Sequence, residues 1–300
     1  MIRTAARACQ PVAAHGATRI LMGNVLPYAG KGGLCMGCHH SRVADVTSTV
    51  TTSRGGALRT QTDMILGVSG FTYGQIFGGT SVHAYVVKDT CVACHMKKSY
   101  ERTLGGHSFA LRDEMGTPED LSDDRTHVEG LCTNCHTGLG TLDRVAGTAD
   151  WDGDGRAEGT QSEVRGLLAI LRAAILARVS GLTVNEHGLI GIPSSVFSTM
   201  TEAEKAAVYN HNFVLNDGSF GVHNTGYAVM LLQEGYRQLT GQAVPGAVIV
   251  PLGPTIPWKT RQMLEQLAST PGAVYRQADG SPAMSAGARK ALRAVYGSLE

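Results

Sequence analysis

The chain carries the same five-residue pattern three times: two cysteines separated by two residues and followed at once by a histidine. The copies are Cys35, Cys38 and His39; Cys91, Cys94 and His95; and Cys132, Cys135 and His136. Composition alone predicts about 0.006 such patterns in a chain of this length. Two thiols at this spacing can add across the two vinyl groups of a haem, and the adjacent histidine then lies under the iron as its proximal ligand. The pattern predicts three covalently bound haem c groups.

Paired cysteines also serve other chemistries, none of which explains the histidine. Structural zinc sites combine two cysteine pairs and do not require a histidine directly after each one. A thioredoxin-like redox pair is expected once, after a strand, and disulfides place no demand on the next residue. The seventh cysteine, Cys9, precedes His15 without a second thiol at the right place. It is either a spare buried thiol or, together with His15, the remnant of a further haem site.

Histidines outside the motifs are numerous enough to supply a second axial ligand to every iron. Three of the eleven histidines belong to the motifs, and eight remain. His83 stands shortly before Cys91, His107 follows two glycines that let the backbone approach a bulky ring, and His223 lies in a turn that leads into a predicted helix. We expect these three to be the distal ligands. The less favoured candidates are His211, His40, His127, His15 and His187, and, as thioether ligands, Met64 and Met96.

A short acidic segment after the third motif has the pattern of a calcium-binding loop. Carboxylates at Asp150, Asp152 and Asp154 occupy positions 1, 3 and 5, a glycine follows at position 6, and Arg156 offers its carbonyl oxygen. The usual glutamate at position 12 is absent, and Glu163 is expected to replace it at the start of the next helix. The alternative is a solvated acidic turn that caps this helix. We predict one Ca²⁺ at the junction of the two halves of the chain.

Taken together, the motifs resemble a multihaem c-type cytochrome, specifically the superfamily of the ammonia-forming cytochrome c nitrite reductases. The resemblance rests on a histidine before a haem motif that methionine follows (His83 to Met96) and on the segment Asn212 to Asn224. In the family, the histidine matching His223 is a distal haem ligand. The family's catalytic haem, bound through Cys-x-x-Cys-Lys, has no counterpart here. The resemblance implies the fold and the ligation style but not the activity. Extracellular cytochrome filaments use the same bis-histidine haems.

The rest of the chain predicts a mainly α protein with extensive irregular loops, packed around its covalent haems. Residues 1–148 hold the three motifs in Gly-, Ser- and Thr-rich segments, whereas residues 149–300 read as helices that supply a distal ligand and the calcium loop. Predicted helices run from Glu163 to Val179, from the capping box at Thr201 to about Val214, from Thr225 to Leu239 and from Ala286 to Tyr296. We expect the two regions to share one core.

Charge and the N-terminus limit the partners and the compartment. Lys and Arg number 26 against 25 Asp and Glu, which excludes a bulk electrostatic attraction to nucleic acid or to an anionic membrane. No segment is apolar and long enough to span a bilayer, and no signal peptide is visible. Because covalent haem is attached outside the cytoplasm, we expect a periplasmic or extracellular protein.

These features predict electron transfer through three bis-histidine haems. The chain would serve redox partner proteins or extracellular acceptors, either as a soluble carrier or as a self-associating filament subunit. The alternative is a haem oxidoreductase in which one iron is open to a small nitrogen or sulfur oxyanion.

Overall fold

The computed structural model describes residues 29–252 except 55, 88, 118–121 and 146–148, together with the backbone of four short strands outside that range. Cys9, His15 and the helix predicted from Ala286 to Tyr296 lie outside the described residues.

The described elements are mostly helices joined by long loops, as the sequence predicts. The helices are α1 (Gly33–Cys38), α2 (Val46–Thr52), α3 (Gln61–Leu66), α4 (His83–Val86), α5 (Cys91–His95), α6 (Thr160–Arg178), α7 (Ser194–Phe197), α8 (Glu202–Asp217) and α9 (Thr225–Thr240). Short 3-10 turns cover Gly30–Gly32, Gly106–Ser108 and Cys132–Asn134. Four two-stranded antiparallel ribbons pair β1 (Thr18–Arg19) with β2 (Val25–Leu26), β3 (Arg112–Asp113) with β4 (Arg125–Thr126), β5 (Thr183–Val184) with β6 (Ile190–Gly191), and β7 (Val274–Arg276) with β8 (Pro282–Met284).

Three long helices, α6, α8 and α9, pack against one another and form the centre of the described structure. Their apolar faces bury Leu171, Phe213 and Leu231 completely. The same cluster also contains Met64 and Phe71 from the first half of the chain. The two halves of the described chain therefore share one hydrophobic core.

The ends of these helices follow local chemical signals. The predicted capping box at Thr201 is confirmed, since its side chain accepts from the amide of Glu204 while the Glu204 carboxylate accepts from the amide of Thr201. Helix α9 ends at Gly241, which adopts the left-handed conformation with φ of 78°. The predicted helix from Glu163 is confirmed and begins three residues earlier, at Thr160.

Buried polar side chains of the helices fix the loops of the first half onto this core. The Asn210 amide donates to the carbonyl of Phe71 at 2.9 Å and accepts from its amide at 2.8 Å. Asn224 donates to the carbonyls of Met64 and Gly79 at 3.0 and 2.8 Å. The two bonds of Asn210 satisfy backbone groups of Phe71 that burial would otherwise leave without a partner. The helical half thus fixes the position of the segment that precedes His83.

Candidate haem-binding histidines

Two motif histidines each face a histidine that the sequence nominates as a distal ligand. The rings of His95 and His223 have their centroids 6.2 Å apart, and those of His83 and His136 are 6.1 Å apart. His223 lies in the turn between α8 and α9, whereas His83 begins α4. Both pairs join parts of the chain that are distant in sequence. Four separate elements, namely a short helix, a turn and two motifs, therefore bring four imidazoles together in two pairs.

The separation within each pair fits two axial ligands on opposite sides of one metal. A metal–nitrogen bond of about 2.05 Å and about 1.15 Å from nitrogen to ring centre place two opposed imidazole centroids about 6.4 Å apart. Two imidazoles in a tetrahedral zinc site would have centroids about 5.2 Å apart. The distances of 6.1 and 6.2 Å lie closer to the opposed arrangement. These separations would leave room for an iron between the two rings of a pair, as a bis-histidine haem requires.

Hydrogen bonds fix the tautomer of the first pair. The Nδ1–H of His95 donates to the carbonyl of Phe109 at 2.7 Å, and the Nδ1–H of His223 donates to the carboxylate of Asp217 at 2.6 Å. With the proton held on Nδ1, each ring has the lone pair of Nε2 available for a metal. Burial alone would lower the pKa of His223, but the Asp217 carboxylate raises it overall. For His95, burial outweighs its hydrogen bond and lowers the pKa.

The second pair has a different electrostatic environment. His83 has an exposed face but is otherwise surrounded by protein, and this desolvation lowers its pKa to about 4, with the charges of His136 and His223 acting in the same direction. Burial, followed by the positive charge of Arg144, lowers the pKa of His136. The Nδ1 atom of His136 is buried and has no hydrogen-bond partner among the described residues. Both rings are therefore held neutral, the form that can ligate a metal.

The three motifs lie side by side. Gly32, just before the first motif, packs so tightly on Thr90, just before the second, that a methyl group at Gly32 would overlap the Thr90 hydroxyl. That hydroxyl donates to the carbonyl of Ala29 at 2.8 Å. Burial, together with the nearby thiol of Cys35 for Cys91 and of Cys132 for Cys94, raises the pKa of both cysteines to about 11. The second motif is therefore close to both of the others.

The cysteines do not form a metal centre of their own in the described structure. Cys35, Cys91, Cys94, Cys132 and Cys135 are free, and Cys38 is disulfide-bonded. Attachment of haem at Cys38 thus requires that disulfide to be reduced first. Within the described residues, the only set of three or more Cys, His, Asp or Glu ligand atoms within 4.8 Å of one another is the acidic group described below. The described geometry does not favour the zinc alternative.

Several other predicted or considered histidines lie outside the two pairs. His39 is exposed at the end of α1, and His107 is exposed on the turn Gly106–Ser108. The buried His40 and His211 donate from Nδ1 to the carbonyl of Met36 and to the Asn212 side chain, each at 3.1 Å. Neither His39 nor His107 takes part in the ring contacts between histidines seen among the described residues, so the structure pairs neither the first motif's histidine nor the predicted distal ligand His107.

His127 differs from its expected surroundings. Its position after an acidic stretch favours a solvated side chain, but the ring is half-buried and its Nε2 atom has no hydrogen-bond partner among the described residues. The cause is the packing of β3 against β4, which brings the ring next to Gly105. No local sequence signal indicates this contact.

The acidic loop brings together three of its four predicted carboxylates. Oxygen atoms of Asp150, Asp152 and Glu163 lie within 4.8 Å of one another, whereas Asp154 and Arg156 are exposed and outside this group. Burial and the neighbouring carboxylates raise the pKa of Asp152 to about 6. Glu163 is 1% exposed and accepts from the amides of Trp151, Asp152 and Glu158. It thus closes the loop onto α6, as the sequence predicts.

Two contributors to the histidine pairs were missed at the sequence level. Asp217 is fully buried next to His223, and the backbone of Val222 lies close enough to His83 to act on its pKa. A carboxylate six residues before a candidate ligand, across a glycine-containing turn, is a signal that could have identified Asp217. The Val222 contact depends on tertiary packing alone.

Comparisons of the chain with models of protein families, with curated proteins and with solved structures find no match. In the described part of the chain, no helix combines the length and apolar character needed to cross a membrane.

Proposed function

We propose that the chain is an exported electron-transfer protein that holds three covalent haem c groups. The observation that carries the proposal is the pairing of two motif histidines with two others at 6.1 and 6.2 Å. His95 and His223 would hold the haem of the second motif, and His83 and His136 that of the third. Haem iron between two imidazoles changes oxidation state without exchanging ligands, which supplies one-electron transfer.

The protein's own residues supply attachment, orientation and proximity. Five of the six motif thiols are free for thioether formation, and Cys38 joins them once its disulfide is reduced. Asp217 and Phe109 hold the imidazoles of the second motif's pair in one tautomer. The contact of Gly32 with Thr90 and the closeness of Cys94 to Cys132 hold the three motifs together. This proximity supports transfer from one centre to the next and matches the proposed resemblance to multihaem cytochromes.

A structural Ca²⁺ is the second part of the proposal. Asp150, Asp152 and Glu163 would ligate it between the motif-bearing half and α6. An ion there would favour the ionised form of Asp152, which burial otherwise disfavours.

The enzymatic alternative depends on the first motif. His39 is exposed and belongs to neither pair. In the enzymatic alternative, the haem of the first motif would therefore be the one whose iron has an open position. Low-temperature EPR of the purified holoprotein separates the two. Electron transfer predicts low-spin iron throughout, whereas a high-spin third of the iron that changes on adding nitrite would favour the oxidoreductase. Negative-stain microscopy distinguishes a filament from a soluble carrier.

The variant His223→Ala tests the pairing that supports the proposal. We expect one third of the haem iron to become high-spin, because the proximal His95 remains while its partner is lost. His187→Ala, at an exposed histidine outside both pairs, is the matched control and is expected to leave the spectrum unchanged. A wholly low-spin His223→Ala spectrum would reject His223 as a ligand.

A further inference from the structure

Asp217 is a buried acid in contact with one histidine pair. Its side chain is fully buried at the end of α8, and one carboxylate oxygen accepts from Nδ1 of His223 at 2.6 Å. The other oxygen accepts from the hydroxyl of Ser219 and from its amide. The Ser219 hydroxyl in turn accepts from the amide of His223 at 3.1 Å. This arrangement fixes the carboxylate against the ring, so its charge cannot turn away towards solvent.

The other histidine pair has the opposite charge beside it. Arg144 is half-buried, and its positive charge acts on both His83 and His136. No carboxylate receives a hydrogen bond from His136, whose Nδ1 atom has no partner among the described residues. Asp217, by contrast, acts on both His223 and His95. The pair His95 and His223 therefore has a carboxylate fixed against it by hydrogen bonds, whereas the charge acting on the other pair is positive.

We propose that Asp217 and Arg144 give the two histidine-paired centres unequal reduction potentials, with the lower potential at the pair His95 and His223. The inference rests on the proposed function. Oxidised iron carries one more positive charge than reduced iron, so an adjacent carboxylate stabilises it and an adjacent guanidinium disfavours it. A hydrogen bond to a carboxylate also makes the ligating imidazole a stronger electron donor. Electrons would pass downhill from the centre of the second motif to that of the third. Asp217 is a positioning residue, since it acts through His223.

Asp217→Asn removes the charge while its side-chain oxygen can still accept from His223. In a spectroelectrochemical titration of the holoprotein, each haem contributes one component to the reduction curve. We expect the midpoint potential of one component to rise by about 59 mV, which corresponds to about a tenfold change in the equilibrium constant of a one-electron reduction. Charge-assisted hydrogen bonds are about twice as strong as neutral ones, which sets this scale. Arg144→Gln is expected to move a different component to lower potential. All iron stays low-spin in both variants.

Two controls change a charge far from the pairs. Glu202→Gln alters an exposed acid at the opposite end of α8, about 22 Å from Asp217 along the helix. Arg178→Gln alters a cation at the end of α6. Both are expected to leave every potential unchanged. Cys132→Ser and Cys135→Ser together remove the covalent haem of the third motif and so show which component belongs to which motif. In this background, the shift caused by Asp217→Asn should persist, whereas the shift caused by Arg144→Gln should vanish.

The inference is overturned if Asp217→Asn leaves all potentials unchanged, lowers one, or acts on the same component as Arg144→Gln. A high-spin fraction in Asp217→Asn also overturns it, because Asp217 would then retain the ligand rather than tune it. Failure of the proposed function has a different signature, namely a wild-type protein without covalent haem or with no low-spin iron.

Discussion

His83→Ala discriminates between two assignments that the sequence and the structure suggest. His83 stands eight residues before Cys91 in the chain, close enough to serve the haem of the second motif or that of a neighbouring motif. Its ring lies against that of His136, with centroids 6.1 Å apart and planes nearly perpendicular, which favours the third motif. Loss of the side chain leaves one iron with a single imidazole. The expected magnitude is one third of the total haem iron in a high-spin state.

The assignment becomes decisive in a background that lacks the third covalent haem. With Cys132→Ser and Cys135→Ser in place, mass spectrometry should show two haems per chain. Adding His83→Ala should then produce no high-spin iron, because the ligand's own haem is already absent. Low-temperature EPR with spin quantitation measures the fraction, and His187→Ala in the same background is the control. If half of the remaining iron became high-spin, His83 would serve one of the other two motifs and the pairing argued from ring geometry would be wrong.

Three further predictions concern the framework. In Gly166→Ala, a methyl group would overlap the Asp152 carboxylate. Ca²⁺ should therefore raise the melting temperature of the wild type but not that of the variant. An equal rise in both proteins would refute the calcium site. Thr201→Ala removes the capping box of α8 and should lower the free energy of unfolding by about 1 kcal/mol in urea titrations, with no change in haem spin state. Asn210→Ala leaves the buried amide and carbonyl of Phe71 unpaired and should lower the free energy of unfolding by about 2–4 kcal/mol in the same assay. A decrease smaller than that expected for Thr201→Ala would contradict the stabilising role of the Asn210 side chain.

Local signals in the sequence predicted the three long helices in the described part of the second half of the chain. The apolar spacing of α6, the capping box at Thr201 and the glycine at 241 act within a few residues, so the sequence alone contains them. The same holds for the closure of the acidic loop by Glu163, which follows from its position at the start of a helix.

The pairing of the histidines could not be predicted in this way. His83 meets His136, and His223 meets His95, across 53 and 128 positions of the chain, respectively. Such contacts depend on the tertiary arrangement and not on spacing within the chain. The sequence therefore nominated His83 and His223 as ligands but left their partners undetermined. For His39 and His107 the prediction stays untested, since the structure places neither in a pair.

The most direct test of the central claim is the intact mass of the denatured holoprotein after extraction with acid acetone. The account predicts a polypeptide that keeps its colour and weighs as much as the chain plus three haems. Pigment released into the solvent, together with the mass of the bare polypeptide, would contradict it.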